Sequence, residues 1–129
     1  DRDVWLPGAQ PYIAAHAALK SGSLDLWALD AAQLVKHALA LSTQAAKLGK
    51  KPALVYLHAN PTAWPDGRPI SDRARAQHAE HLAVFAKAIA GADVQFSALT
   101  YANVCQNWLQ GPADLQHHAR AVMAHFHIV

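Results

Sequence analysis

Apolar side chains recur at helical spacing between residues 24 and 48, and a short, wholly apolar run follows them. On a helical wheel they form one broad face, which is typical of a helix that packs on a core. The pattern predicts a helix over residues 24–48, with Ser23 as its N-cap and Gly49 at its end. The apolar face comprises Trp27, Ala31, Leu34, Val35, Ala38, Leu41 and Ala45.

Two later segments have the patterns of β-strands. Residues 53–59, ALVYLHA, are apolar on both faces and directly follow the helix, as expected for an interior strand of a parallel or mixed sheet. Residues 93–99 alternate apolar and polar side chains, which predicts a half-buried strand. Because two strands cannot cover their own edges and faces, we expect a further strand from residues 1–12 or from outside this sequence.

Helices are predicted around both strands, and residues 1–11 are predicted to be an irregular entry segment. The helices span residues 12–19, about 71–90 with Ser71 as N-cap, 100–110, and a last segment from Pro112 whose apolar face is Leu115, Ala119, Val122, Met123 and Phe126. The sequence therefore predicts an α/β fold: a mixed or parallel sheet with flanking helices. Residues 1–129 form one domain or the C-terminal part of one, with a core at about 24–110.

Composition narrows the class of protein. The chain is 53% hydrophobic and 16% charged, which excludes disorder for the chain as a whole. No apolar run approaches the roughly 20 residues of a membrane helix, and the single Cys105 excludes an internal disulfide framework. We therefore expect a soluble, cytoplasmic protein without a membrane partner. The net charge of +2 indicates at most mild attraction to polyanions.

The first candidate site is a polar edge along the predicted helix 24–48. Asp30, Gln33, His37 and Gln44 line this edge. The set with the relevant chemistry is Asp30, Gln33, Lys36 and His37, which supply a carboxylate, an amide, an ammonium and an imidazole. Gln and Lys side chains can donate to phosphate oxygens, and imidazole can also move a proton. The alternative interpretation is the ordinary polar border of an amphipathic helix, which the spacing alone favours.

Other motifs give weaker indications. The nine histidines include His78 and His81 at metal-ligand spacing, but no third ligand converges with them in the sequence, and solvated histidines are the favoured interpretation. Cys105 lies in a segment typical of a packed short helix, which predicts a buried thiol rather than a nucleophile. The chain contains neither a G-x-S-x-G elbow nor a phosphate-binding P-loop.

One stretch of the chain consists of LDAAQLVKHALAL, then KKPALVYLHANP, a helix and VQFSALTYANVCQNW. It resembles the C-terminal half of bacterial PD-(D/E)XK restriction-endonuclease-like nucleases. The resemblance covers about residues 24–108 and implies a restriction-endonuclease-like fold, a DNA partner and Mg²⁺ in the parent nuclease. It places Gln33, Lys36 and His37 in the helix motif as catalytic residues. The sequence contains no Asp-x-Lys or Glu-x-Lys, so the metal-binding strands would precede residue 1, and no residue of this chain is assigned to a metal.

Substrate binding is assigned to Asp30, His58 and Arg68. His58 lies near the end of the predicted strand and Arg68 lies in the following loop, where α/β proteins often have their sites. Two alternatives remain: a non-catalytic α/β binding or interaction module, and a small-molecule enzyme that uses residues 60–69 as a lid. Apolar surface left by missing strands would favour a homo-oligomer or association with a missing N-terminal segment.

Overall fold

The structure is a computed structural model that describes residues 7–128. It has the predicted mixed α/β composition, with five α-helices and a small parallel sheet in the described part. The elements are a 3₁₀ turn (Pro7–Ala9), α1 (Gln10–Ser21), α2 (Ala31–Leu48), β1 (Ala53–His58), α3 (Asp72–Ala88), β2 (Gln95–Thr100), α4 (Tyr101–Trp108) and α5 (Ala113–His125).

The sheet consists of β1 and β2, which pair in parallel with α3 as the connection between them. Their register runs from Ala53 opposite Gln95 to His58 opposite Thr100. These are the only strands of the sheet within residues 7–128. Residues 7–12 form the 3₁₀ turn and the start of α1, so a further strand there is excluded, and the rest of the predicted entry segment, residues 1–6, lies outside the described residues.

Helices cover one face of this sheet. Leu54 and Tyr56 point toward the helices and are partly buried against the core, whereas Val55 and Leu57 on the other face are 55% and 41% exposed. The prediction that the first strand is buried on both faces is therefore wrong for the described structure. The core consists of Tyr12, Ala15, Leu26, Leu29, Ala31, Leu34, Val35, Ala38, Leu82, Phe85, Ile89 and Val94.

The second helix begins seven residues later than the apolar periodicity predicts. Its N-cap is Asp30, whose carboxylate accepts a hydrogen bond of 3.1 Å from the backbone N–H of Gln33. Ser23 is not the cap, since its hydroxyl donates to the carbonyl of Ala18. The segment before α2 is a turn that still buries Leu26 but leaves Trp27 67% exposed, contrary to the prediction that Trp27 faces the core.

Several predicted helix boundaries are confirmed. Ser71 caps α3 by accepting a hydrogen bond from the N–H of Ala74, and Gly49 ends α2 with a left-handed φ of 60°. At the end of β2, Thr100 and Asn103 form a reciprocal capping box that starts α4. None of the helices within residues 7–128 is long and apolar enough to cross a membrane.

The last two helices form a hairpin with its own small core. α5 packs mainly against α4, and Cys105 and Ala119 are fully buried, which confirms the predicted buried thiol. Phe126 was expected on the apolar face of the last helix, but it follows the end of α5 and is 67% exposed. The prediction failed because the helix ends at His125, one residue before the phenyl ring.

Tyr12 and Asp93 connect the N-terminal segment and α2 to the start of the second strand. The fully buried Tyr12 donates a hydrogen bond of 3.0 Å to the carbonyl of Val94. Burial, and then the charge of Asp93, raise the pKa of Tyr12 to about 12. Asp93 accepts a hydrogen bond from Ser42 of α2, and its N–H donates to the carbonyl of Gly8.

The hydrogen bond of Tyr12 gives a test of this connection. We expect Tyr12→Phe to lower the free energy of unfolding by about 1 kcal/mol, because the ring stays packed while the bond to the Val94 carbonyl is lost. Urea denaturation measures this change. Tyr101→Phe is the matched control, since Tyr101 is 45% exposed. Equal effects of the two substitutions would contradict a special role for Tyr12.

Candidate functional site

Aromatic and imidazole rings collect at the carboxyl end of β1. Tyr56 and His58 are two residues apart on the strand and therefore lie on the same face of the sheet. Their rings stack with centroids 5.2 Å apart and planes 18° from parallel. This face is the one that the helices cover, so both side chains are only partly exposed.

α3 adds two histidines to these rings. His78 Nε2 lies 3.2 Å from the Tyr56 hydroxyl oxygen, and its ring centroid is 4.9 Å from that of His58. His81 follows on the same helix, one turn later. We refer to Tyr56, His58, His78 and His81 as the imidazole cluster.

The turn before α2 closes one side of the imidazole cluster. The backbone N–H of Ala28 donates a hydrogen bond of 3.1 Å to His81 Nδ1. The exposed Trp27 contacts the edge of His81 in a T-shaped arrangement, with centroids 5.5 Å apart. Asp30, the N-cap of α2, is close enough for its charge to act on Tyr56. The cluster is therefore built where a strand, a helix and a turn meet.

The surroundings shift the protonation of two members of the cluster. Partial burial, followed by the neighbouring His58 and His81, lowers the pKa of His78 below its usual value of 6.5. Burial, followed by the negative charge of Asp30, raises the pKa of Tyr56. Near neutral pH both groups are therefore held in their uncharged forms, which makes His78 a potential proton acceptor.

Two hydrogen bonds assign the hydrogen positions on the neighbouring imidazoles. His58 Nδ1 lies 3.1 Å from the carbonyl oxygen of Ala59, which can only accept, so Nδ1 carries a hydrogen and a neutral His58 presents a bare Nε2. His81 Nδ1 accepts from Ala28, so its hydrogen is on Nε2. The cluster thus offers both an acceptor and a donor nitrogen, which suits proton transfer or the binding of an anion.

The residues predicted to bind substrate are only partly brought together. His58 stacks on Tyr56 at the end of β1, and the charge of Asp30, at the start of α2, contributes to raising the pKa of Tyr56. Arg68 instead lies in the loop after β1 and pairs with Asp66, with Arg68 Nε 2.6 Å from Asp66 Oδ2. The side chain of Arg68 is 74% exposed.

The predicted catalytic residues Gln33, Lys36 and His37 are all exposed on α2. Lys36 borders an open groove of about 1120 Å³ between α1 and α2, which Gln33 and His37 do not line. Among the described residues, no side-chain hydrogen bond or ring contact joins these three residues to the imidazole cluster.

The described residues do not bring together a set of side chains that could bind a metal ion. Within residues 7–128, no three His, Cys, Asp or Glu side chains are placed to hold a metal ion together. His78 and His81 have metal-ligand spacing, but His78 contacts Tyr56 and His58 while His81 contacts Ala28 and Trp27.

Sequence reasoning missed Tyr56 as a site residue and took His78 and His81 for solvated histidines. The alternation of the strand puts Tyr56 and His58 on one face, and this was visible in the sequence. The contact of that face with α3 was not visible, because it depends on how the crossover helix packs on the sheet. Comparisons with protein-family models, with curated proteins and with solved structures found no match.

The lowered pKa of His78 predicts how stability depends on pH. Because the unfolded chain binds a proton at His78 before the folded chain does, stability falls as the pH drops below about 6.5 toward the lower folded-state value. We expect His78→Gln to reduce this loss, as measured by urea denaturation at neutral pH and at about pH 5. His16→Gln, on the exposed side of α1, is the control. A His78→Gln variant with the full wild-type pH dependence would contradict the assignment.

Proposed function

We propose that this chain is part of a divalent-metal-dependent DNA nuclease that hydrolyses phosphodiester bonds, as its resemblance to PD-(D/E)XK restriction-endonuclease-like proteins implies. The observation that carries the proposal is the succession of α2, β1, α3 and β2, in which a helix with a Gln-based motif leads into two parallel strands. This succession is compatible with the order of elements that the resemblance implies.

The position of Gln33 is also compatible with this proposal. The Asp30 cap fixes where α2 begins, and Gln33 lies in its first turn. Since the Asp30 charge acts on Tyr56, this end of α2 lies near the carboxyl end of β1. In the parent nuclease, Gln33 would orient the attacking water or hold a catalytic lysine in position, and Lys36 and His37 would approach the scissile phosphate.

Under this proposal the metal ligands come from other strands. The described residues supply no ligand set for Mg²⁺, and the full sequence contains no Asp-x-Lys or Glu-x-Lys. Within the described chain, β1 and β2 each have one edge without a partner strand. A further strand of the parent could pair at either edge, since unpaired backbone groups at a sheet edge accept another strand.

Plasmid cleavage tests the activity directly. We expect the longest natural product that contains this chain to cleave plasmid DNA with Mg²⁺ and not without it, whereas the 129-residue chain alone is inactive for lack of metal ligands. Gel electrophoresis of the plasmid measures both reactions. Absence of cleavage by the longer product would count against the nuclease.

Gln33 offers a more specific test in that longer product. We expect Gln33→Ala to lower the cleavage rate about tenfold or more, because small displacements of a reacting group have large effects on rate. Gln106→Ala is the matched control, since Gln106 is an exposed glutamine on another helix, α4. Equal rates of plasmid cleavage by the two variants would show that Gln33 takes no part in catalysis.

The second candidate is a non-catalytic interaction module, and the exposed sheet face favours it. Val55 and Leu57 lie on this face and are largely uncovered by the described residues. The net charge of only +2 also favours an interaction module over a DNA-binding protein. The salt dependence of DNA binding separates the two candidates: a nuclease part binds with a negative slope of log K against log salt concentration, while a module for a protein partner shows no DNA binding.

A further inference from the structure

An open groove runs between α1 and α2 and is separate from the imidazole cluster, none of whose residues lines it. Its volume is about 1120 Å³. It extends from Gln10 to Lys20 along α1 and from Ala32 to Gln44 along α2, which corresponds to about 15 Å and about 18 Å of helix length. The groove is therefore long enough for about three turns of a further helix.

The base of the groove is apolar and its sides are low. Ile13 of α1 and Val35 and Leu39 of α2 are mostly buried and form the base. Ala17 and Ala40 are exposed and line the sides. Because an alanine side chain ends at Cβ, a third helix can approach α1 and α2 closely, and its larger apolar side chains can reach the base.

The ionisable groups that line the groove are all bases. Lys20 of α1 and Lys36 of α2 lie on its two sides, together with His16 of α1. Within residues 7–128 neither lysine forms a salt bridge, and α1 and α2 contain no Asp or Glu. The charge of the groove therefore favours an anionic occupant, since a cationic one would meet like charge without compensation.

We propose that this groove binds an acidic amphipathic helix of a partner protein. The apolar face of that helix packs on Ile13, Val35 and Leu39, and its carboxylates pair with Lys20 and Lys36. A helix fits better than a membrane surface, because the groove is concave and its base is mostly buried. A nucleic-acid backbone has the required charge but lacks the apolar face. This inference goes beyond the proposed nuclease activity and does not rest on it.

Titration of the full chain with a synthetic peptide, followed by NMR of the backbone amides, tests the groove. The probe is a peptide of about 14 residues, kept helical by a side-chain cross-link, with leucines at i, i+3, i+4 and i+7 and glutamates elsewhere. Its counterpart has lysine in place of each glutamate. We expect the acidic peptide to shift the amide signals of Ala17, Leu39 and Ala40, and the lysine peptide to bind at least about tenfold more weakly.

Two variants with matched controls locate the binding. Ala40→Trp fills the groove and should weaken binding of the acidic peptide about tenfold, whereas Ala46→Trp, exposed on α2 outside the groove, should change it by no more than about twofold. Lys20→Glu should weaken binding about fivefold or more, with the exposed Lys51→Glu as the control for charge. Lys36 stays unchanged, because the nuclease proposal places it near the scissile phosphate.

Each outcome decides for or against the groove. Preference for the acidic peptide, weakened by Ala40→Trp and Lys20→Glu but not by their controls, supports the proposal. Equal binding of the two peptides, no shifts with either, or equal effects of a variant and its control overturns it. Binding of phosphatidylserine vesicles or of an oligothymidylate in place of the acidic peptide overturns it as well. If Ala40→Trp fails to fold by circular dichroism, Ala17→Trp fills the groove from α1 and replaces it. Failure of DNA cleavage leaves this test unaffected, since it measures binding alone.

Discussion

Parallel pairing of β1 with β2 is the constraint on which the arrangement of the described chain depends. Two parallel strands need a connection that returns to the same end of the sheet, and α3 supplies it. Because α1, α2 and α3 contribute to one core, they cover one face of the sheet and leave Val55 and Leu57 exposed on the other. The one-sided burial of the strands is a consequence of this arrangement.

The same constraint brings the candidate site together. β1 runs toward the end of the sheet at which α2 begins, so the Asp30 cap comes close to Tyr56, and the return of α3 brings His78 against both Tyr56 and His58. The four residues of the cluster come from β1 and α3, and the turn before α2 closes one side of it. The site therefore depends on the tertiary fold rather than on a local motif, and its electrostatics follow from the partial burial that the helices impose.

Local signals in the sequence were sufficient for much of the fold. The cap at Ser71 and the glycine at 49 correspond to observed features, because each acts within a few residues. The second strand is also present, but its burial alternates only as far as Ser97, since Ala98 is exposed. The start of α2 was misplaced because Trp27 fits the helical face by its spacing, whereas the chain before Asp30 is a turn that buries Leu26 and Leu29 and leaves Trp27 exposed. In the candidate site, His58 was selected for its place near the end of a predicted strand. The role of His78 depends on its contacts with Tyr56 and His58, which no spacing in the sequence encodes.

Thr100 is both the last residue of β2 and the N-cap of α4, so no flexible residue separates the sheet from the helix that follows. The capping box with Asn103 holds this junction with hydrogen bonds in both directions. The α4–α5 hairpin is thus joined to the sheet without a linker. A rotation of the hairpin relative to the sheet would have to break the capping box or bend the end of β2.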